Sequence, residues 1–120
     1  MFTALVSCVQ CVDVRRGDDG RAPCLSVEAV HQVSLLVRFG SGHEEQVSLY
    51  SNTHNVSTEK YILVADFSAV IVRSMTISDE GVYRCTVSTT DGETSNTEAI
   101  LSVFGESFRS LCLLIPSTLC

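Results

Sequence analysis

Six cysteines stand in a chain of 120 residues: Cys8, Cys11, Cys24, Cys85, Cys112 and Cys120. Thiols at that density hold a metal, run redox chemistry or form disulfides. Cys8 and Cys11 make a C-x-x-C pair. A zinc site would need a second closely spaced pair, which the sequence lacks. A redox motif would open a helix after a strand, and the residues around Cys8 and Cys11 are not helix-like. Disulfides formed in an oxidising compartment account for the count best. The histidines His31, His43 and His54 stand apart, and only His43, in His43-Glu44-Glu45, has acidic neighbours. None has a partner at the helical spacing of a metal site, so no metal is expected. The serines have no G-x-S-x-G setting. No glycine-rich phosphate loop is present. The expectation is that the chain is not an enzyme and takes no cofactor. One modification motif is present: Asn55-Val56-Ser57 is an N-glycosylation sequon in a polar segment.

The elements that must position these residues are strands. Val, Thr and Ser are abundant and long helix-forming runs are scarce, which favours β-structure. Gly17-Asp18-Asp19-Gly20 is a turn signal. A short strand-like stretch, 21–27, follows and carries Cys24. Residues 33–39 read VSLLVRF, and residues 46–50 alternate with Val47 and Leu49 on one face. Residues 51–59 are polar and loop-like, and 60–67 and 69–77 are further strand candidates. Residues 81–89 form a strand, Asp91-Gly92 is a hairpin signal, and 94–103 form the return strand. This makes about eight or nine short strands divided by regular turn signals. No segment sustains a helical period. The class is all-β, closed as a two-sheet sandwich.

The net charge is −6, and the eight Lys and Arg never run beyond the pair Arg15-Arg16. A nucleic-acid surface needs a basic stripe, so no nucleic acid is expected. Residues 1–12 are apolar with no basic start. They read as a truncated or unusual signal segment, or as a first strand. Residues 106–120 include the apolar run from Leu111 to Ile115, ended by Pro116. A bilayer span needs roughly 20 residues, so no complete transmembrane segment is expected. The tail reads as a truncated membrane-proximal segment, leaving 13–105 as the folded domain.

The most informative run is Asp79-Glu80-Gly81-Val82-Tyr83-Arg84-Cys85. Its D-x-G-x-Y-x-C pattern resembles the E–F corner and strand F of the immunoglobulin superfamily, variable-type. Val70, Val72 and Met75, nine, seven and four residues before Asp79, repeat the strand E spacing of such domains. Ala99, Leu101 and Val103 match the inward face of a final strand. The resemblance covers Val12 to Gly105 and implies an immunoglobulin-like Greek-key sandwich. It implies that Cys85 is bridged to Cys24, 61 residues earlier. It gives Gly81 a tight backbone turn and returns the Tyr83 hydroxyl to backbone near Ser78 or Asp79. It pairs Asp79 with Lys60, where the family prefers Arg. Cys8, Cys11, Cys112 and Cys120 are expected outside the sandwich.

Two features depart from the family. The chain has no Trp to pack against the disulfide. Counting from Cys24 places Leu36 there, whereas strict alternation turns Val33, Leu35, Val37 and Phe39 inward. The two readings differ by one residue and exchange the faces of the strand. With Leu36 inward, Val37 and Phe39 project outward as candidate partner anchors, with residues 90–94 at their edge. Second, Phe104-Gly105-Glu106 lacks the F-G-x-G bulge, which argues against an antigen-receptor variable domain. The resemblance implies a protein-binding domain of a cell-surface immune or adhesion receptor, or a secreted form of one. A secreted decoy, such as a virus-encoded immunoglobulin mimic, is the alternative. The expected partner is a protein ligand or receptor, or a second copy of the chain. The expected place is the cell surface or extracellular space, as a glycoprotein.

Overall fold

A side-chain period of two, broken at polar and glycine-bearing turns, sets out nine strands among the described residues. The computed structural model of the chain describes residues 10–25, 27–51 and 54–105. The strands are β1 (Gln10–Arg15), β2 (Gly20–Pro23), β3 (Val30–Phe39), β4 (Glu44–Ser51), β5 (His54–Asn55), β6 (Tyr61–Leu63), β7 (Ala69–Val72), β8 (Gly81–Thr89) and β9 (Thr94–Phe104). A 3₁₀ turn, Ile77–Asp79, precedes β8. One sheet has six strands in the order β1-β9-β8-β3-β4-β5, and the other has three in the order β2-β7-β6. All pairings are antiparallel except that of β1 with β9, which is parallel. Among the described residues, no helix is long and apolar enough to cross a membrane.

Three turns need glycine at positive φ, where a Cβ is strained. They are Gly17, Gly42 and Gly92, at φ 93°, 95° and 93°. Gly92 closes the β8–β9 hairpin, where Thr89 and Asp91 side chains also bond each other. The segment 60–77 holds less strand than its sequence suggests. Phe67 adopts a left-handed φ of 62° and its N–H donates to the Val64 carbonyl, 3.0 Å away. The chain therefore turns between β6 and β7, and the polar stretch before β6 yields the short strand β5.

Both sheets turn their apolar phase toward one core. Val14, Leu35, Leu49, Leu63, Val70, Val72, Met75, Leu101 and Val103 all belong to it. The Cys24–Cys85 disulfide crosses between the sheets, with Cα atoms 5.3 Å apart. Cys85 is fully buried and Cys24 nearly so.

The direction of β3 corrects the sequence reading. Val33, Leu35 and Val37 are fully buried, while Leu36 is half-buried on the opposite face. In the β3–β8 register, Leu35 lies beside Cys85 and Val37 beside Tyr83. Neighbours across a ladder share a face, so the phase that meets the disulfide is the one buried. Val37 is thus a core residue rather than a partner anchor. Phe39 is half-buried, packs on the core margin and stacks on His43 with ring centroids 5.9 Å apart.

Gly81 is small for a different reason than a tight turn. It is the first residue of β8, opposite Phe39, and its φ is not positive. A Cβ there would overlap the Arg38 carbonyl oxygen and lie 2.9 Å from the Phe39 Cα. Close approach of two backbones therefore requires it. Cys11 is part of the sandwich rather than outside it, on the first strand that the sequence offered as one reading of residues 1–12. It lies within β1, beside Ile100 of β9, and is disulfide-bonded. Cys8, Cys112 and Cys120 fall outside the described residues.

Two outcomes follow. Replacing Cys24 and Cys85 together with Ala should lower unfolding free energy by about 4 kcal/mol on loop-closure entropy, read by urea denaturation. An unchanged midpoint would show that the bridge stabilises nothing. Gly81→Ala should destabilise by more than about 1 kcal/mol, because the steric conflict is with backbone and cannot be relieved by a rotamer. An unaltered melting temperature would show that β3 and β8 can separate without cost.

Candidate functional site

Two clusters of polar side chains are built by the fold, one at the corner before β8 and one on the outer face of the larger sheet. At the corner, the 3₁₀ turn brings the Asp79 carboxylate back over its own start. Its Oδ2 accepts from Lys60 Nζ at 2.8 Å and from the Thr76 backbone N–H at 2.8 Å. Lys60 also donates to the Arg73 carbonyl at 2.8 Å, so one ammonium ties β6 to the chain leaving β7. The Tyr83 hydroxyl donates to the Asp79 carbonyl oxygen. Its ring is fully buried. Lys60, Asp79 and Tyr83 are therefore tied together at the corner, with Gly81 at the start of the next strand, while Cys24 and Cys85 are joined in the core.

The electrostatics agree with that role. Burial alone would raise the Asp79 carboxyl, but hydrogen bonds from Lys60 and Thr76 and the Lys60 charge hold it below the usual carboxylate range. Burial, then the charges of Glu45 and Asp79, push the Tyr61 phenol up to about 12. Burial pushes the Tyr83 phenol higher still, with Tyr61, Asp79 and Glu45 adding to it. The Tyr83 phenol thus stays protonated as the donor to Asp79. Glu80 serves the corner too: its Oε2 accepts from the Val103 N–H at 2.8 Å and the buried Ser102 hydroxyl at 3.2 Å.

The outer face of the six-stranded sheet is different. Three adjacent strands each place a half-buried apolar side chain there: Leu36 on β3, Val82 on β8 and Ile100 on β9. Val82 lies opposite Ile100, and Leu36 opposite Arg84. The Arg84 guanidinium gives Nε and Nη2 to Glu98 Oε2, at 2.8 and 2.7 Å. Arg38 Nε donates to Glu44 Oε2 at 2.7 Å. Leu36, Arg38, Val82, Arg84 and Glu98 line a shallow depression. Exposed ion pairs of this kind contribute little stability, typically about 0–1 kcal/mol. Their value on a surface is orientation and selectivity. The most exposed large apolar residues, Leu25, Val56 and Ile77, lie off this face on connecting segments.

The candidate anchors Val37 and Phe39 do not belong to this face. Its residues were missed by sequence reasoning, although a signal existed. Leu36, Val82 and Ile100 are apolar at the off-phase of three strands whose other phase is already apolar. Asn55, the sequon residue, is exposed on β5 at the sheet edge. His31, His43 and His54 are all exposed. Among the described residues, no three His, Cys, Asp or Glu side chains gather closely enough to hold a metal ion. In comparison with known proteins, the chain matches no family model and no curated protein.

The corner predicts an acid dependence. The Asp79 carboxyl has a folded pKa below its unfolded one, so its stabilising contribution is complete above the ordinary carboxylate range. That contribution disappears as pH falls through the depressed folded value. Urea denaturation should therefore separate wild type from Asp79→Asn most clearly at neutral pH, with the gap closing in acid. A gap independent of pH would show that the Lys60 pairing is not linked to folding.

Proposed function

We propose that the chain is a variable-type immunoglobulin-like domain that binds another protein, outside the cell or at its surface. It acts as a recognition module rather than as a catalyst. The strand order supports this reading. A variable-type sandwich extends its G-F-C sheet by C′ and C″ and keeps B, E and D in the other. β9, β8, β3, β4 and β5 follow the first order, and β2, β7 and β6 the second. The chain passes between the sheets after β1, β2, β5 and β7, which fits the Greek-key connections of such a sandwich. A disulfide joining the strand B region to strand F and a tyrosine bonded back to its own corner support it further. The disulfide also fits the oxidising conditions of the secretory pathway.

One observation carries the functional part: the Leu36, Val82 and Ile100 strip, bordered by the Arg84–Glu98 and Arg38–Glu44 pairs. Protein interfaces combine an apolar centre with a polar rim, and arginine is prominent among residues that dominate binding. A sheet face this flat suits another protein surface better than a small molecule, which needs a concave site.

The test is capture from a library of cell-surface ectodomains, followed by Leu36→Glu and Arg84→Glu variants. Each variant should weaken capture of the partner by at least about tenfold. Melting should change little, because Leu36 is outside the core. Retained affinity in both variants would remove this face from the reading.

A further inference from the structure

We infer that Asn55 carries an N-linked glycan that shields the free edge of the six-stranded sheet. The inference shares the secretory location of the proposed function and concerns the sheet edge rather than the Leu36, Val82 and Ile100 strip. β4 and β5 form the outer edge. β4 pairs with β3 along Glu44–Ser51 but with β5 only at Tyr50 and Ser51. Among the described residues, no strand therefore pairs with Glu44 to Ser48 on the side away from β3. An exposed edge is a template for pairing with another chain unless charges, proline, bulges or cover block it. Glu44 and Glu45 place charge at one end. The middle, Gln46-Val47-Ser48, carries no charge, and the far end meets β5.

Asn55 sits next to that stretch, on the short strand that pairs with β4 at Tyr50. Its side chain is exposed. Oδ1 accepts from the Ser57 N–H at 2.9 Å and from the Ser57 hydroxyl. Nδ2 donates to the Leu63 carbonyl at 3.4 Å. An amide nitrogen has two hydrogens, so this bond uses one. Glycosylation replaces the other and leaves the Leu63 bond intact. The donor class is a lipid-pyrophosphate-linked oligosaccharide. Nδ2 forms a bond to the anomeric carbon of the first sugar and gives up one proton. The bond from that carbon to the pyrophosphate oxygen breaks, and the lipid pyrophosphate leaves with the electron pair. The sequon supplies what the transfer recognises, a hydroxyl two residues after the asparagine.

The full chain, secreted from a eukaryotic host, is weighed by intact mass spectrometry before and after peptide-N-glycosidase. A loss of one glycan is expected, absent in Asn55→Gln and retained in Ser57→Thr. The protein with high-mannose glycans, before and after an endoglycosidase that leaves one sugar on an uncharged Asn55, is then compared by sedimentation velocity. Trimming acts on the folded chain and should raise the self-associated fraction severalfold at equal concentration. An unmodified Asn55 would overturn the site. A glycan whose trimming leaves self-association unchanged would overturn the shielding. Either failure leaves capture through the Leu36 face unaffected, so the two readings fail separately.

Discussion

The register of β3 against β8 is the constraint on which the molecule depends. These are the two central strands of the larger sheet. Their pairing places Leu35 beside Cys85 and Val37 beside Tyr83. Everything inside follows from that phase, since Cys85 reaches the other sheet through the disulfide and Tyr83 holds the corner. Everything outside follows too, because Leu36, Arg38, Val82 and Arg84 are what remains. A slip by one residue would bury Arg84 and expose the disulfide. Gly81 protects this register at its start by allowing backbone to approach backbone.

Much of the frame is legible in the sequence because it is encoded locally. Tyr83 and Cys85 are two residues apart on one strand, so a single short pattern specifies both. Asp79 joins them from the turn just before. The β8–β9 hairpin is similarly explicit in Asp91-Gly92. The direction of β3 is not local. Residues 33–39 are apolar in both phases, so alternation cannot say which phase is inside; only the neighbour across the ladder decides. β5 escapes notice because two polar residues carry no period. Cys11 escapes because a strand paired at the sheet edge needs only one buried face, and its apolar stretch reads equally as a leader. The outer strip was hidden by the same ambiguity that misplaced Val37.

The two phases of the larger sheet divide the work. The inner phase is nearly uniform in Val, Leu and Ala and tolerates no charge. The outer phase mixes Leu36, Val82 and Ile100 with paired ions and with hydroxyl and amide side chains such as Thr86 and Asn96, bonded at 2.6 Å. Substitution on that side changes what the surface presents without opening the core. A scaffold arranged this way can vary its recognition while the disulfide and tyrosine corner keep their positions.

The parallel pairing of β1 with β9 has a mechanical consequence. Parallel strands run the same way, so the chain enters β1 beside Ala99 and leaves β9 beside Arg15, at opposite poles of the domain. Tension along the backbone on either side would slide β1 past β9 and load their six register pairs together. Bonds sheared in parallel resist far more force than bonds opened one after another. If they did yield, the Cys24–Cys85 crosslink would keep the loop between those residues from lengthening. Pulled from these two poles, the domain would yield as a short link with a limited stroke.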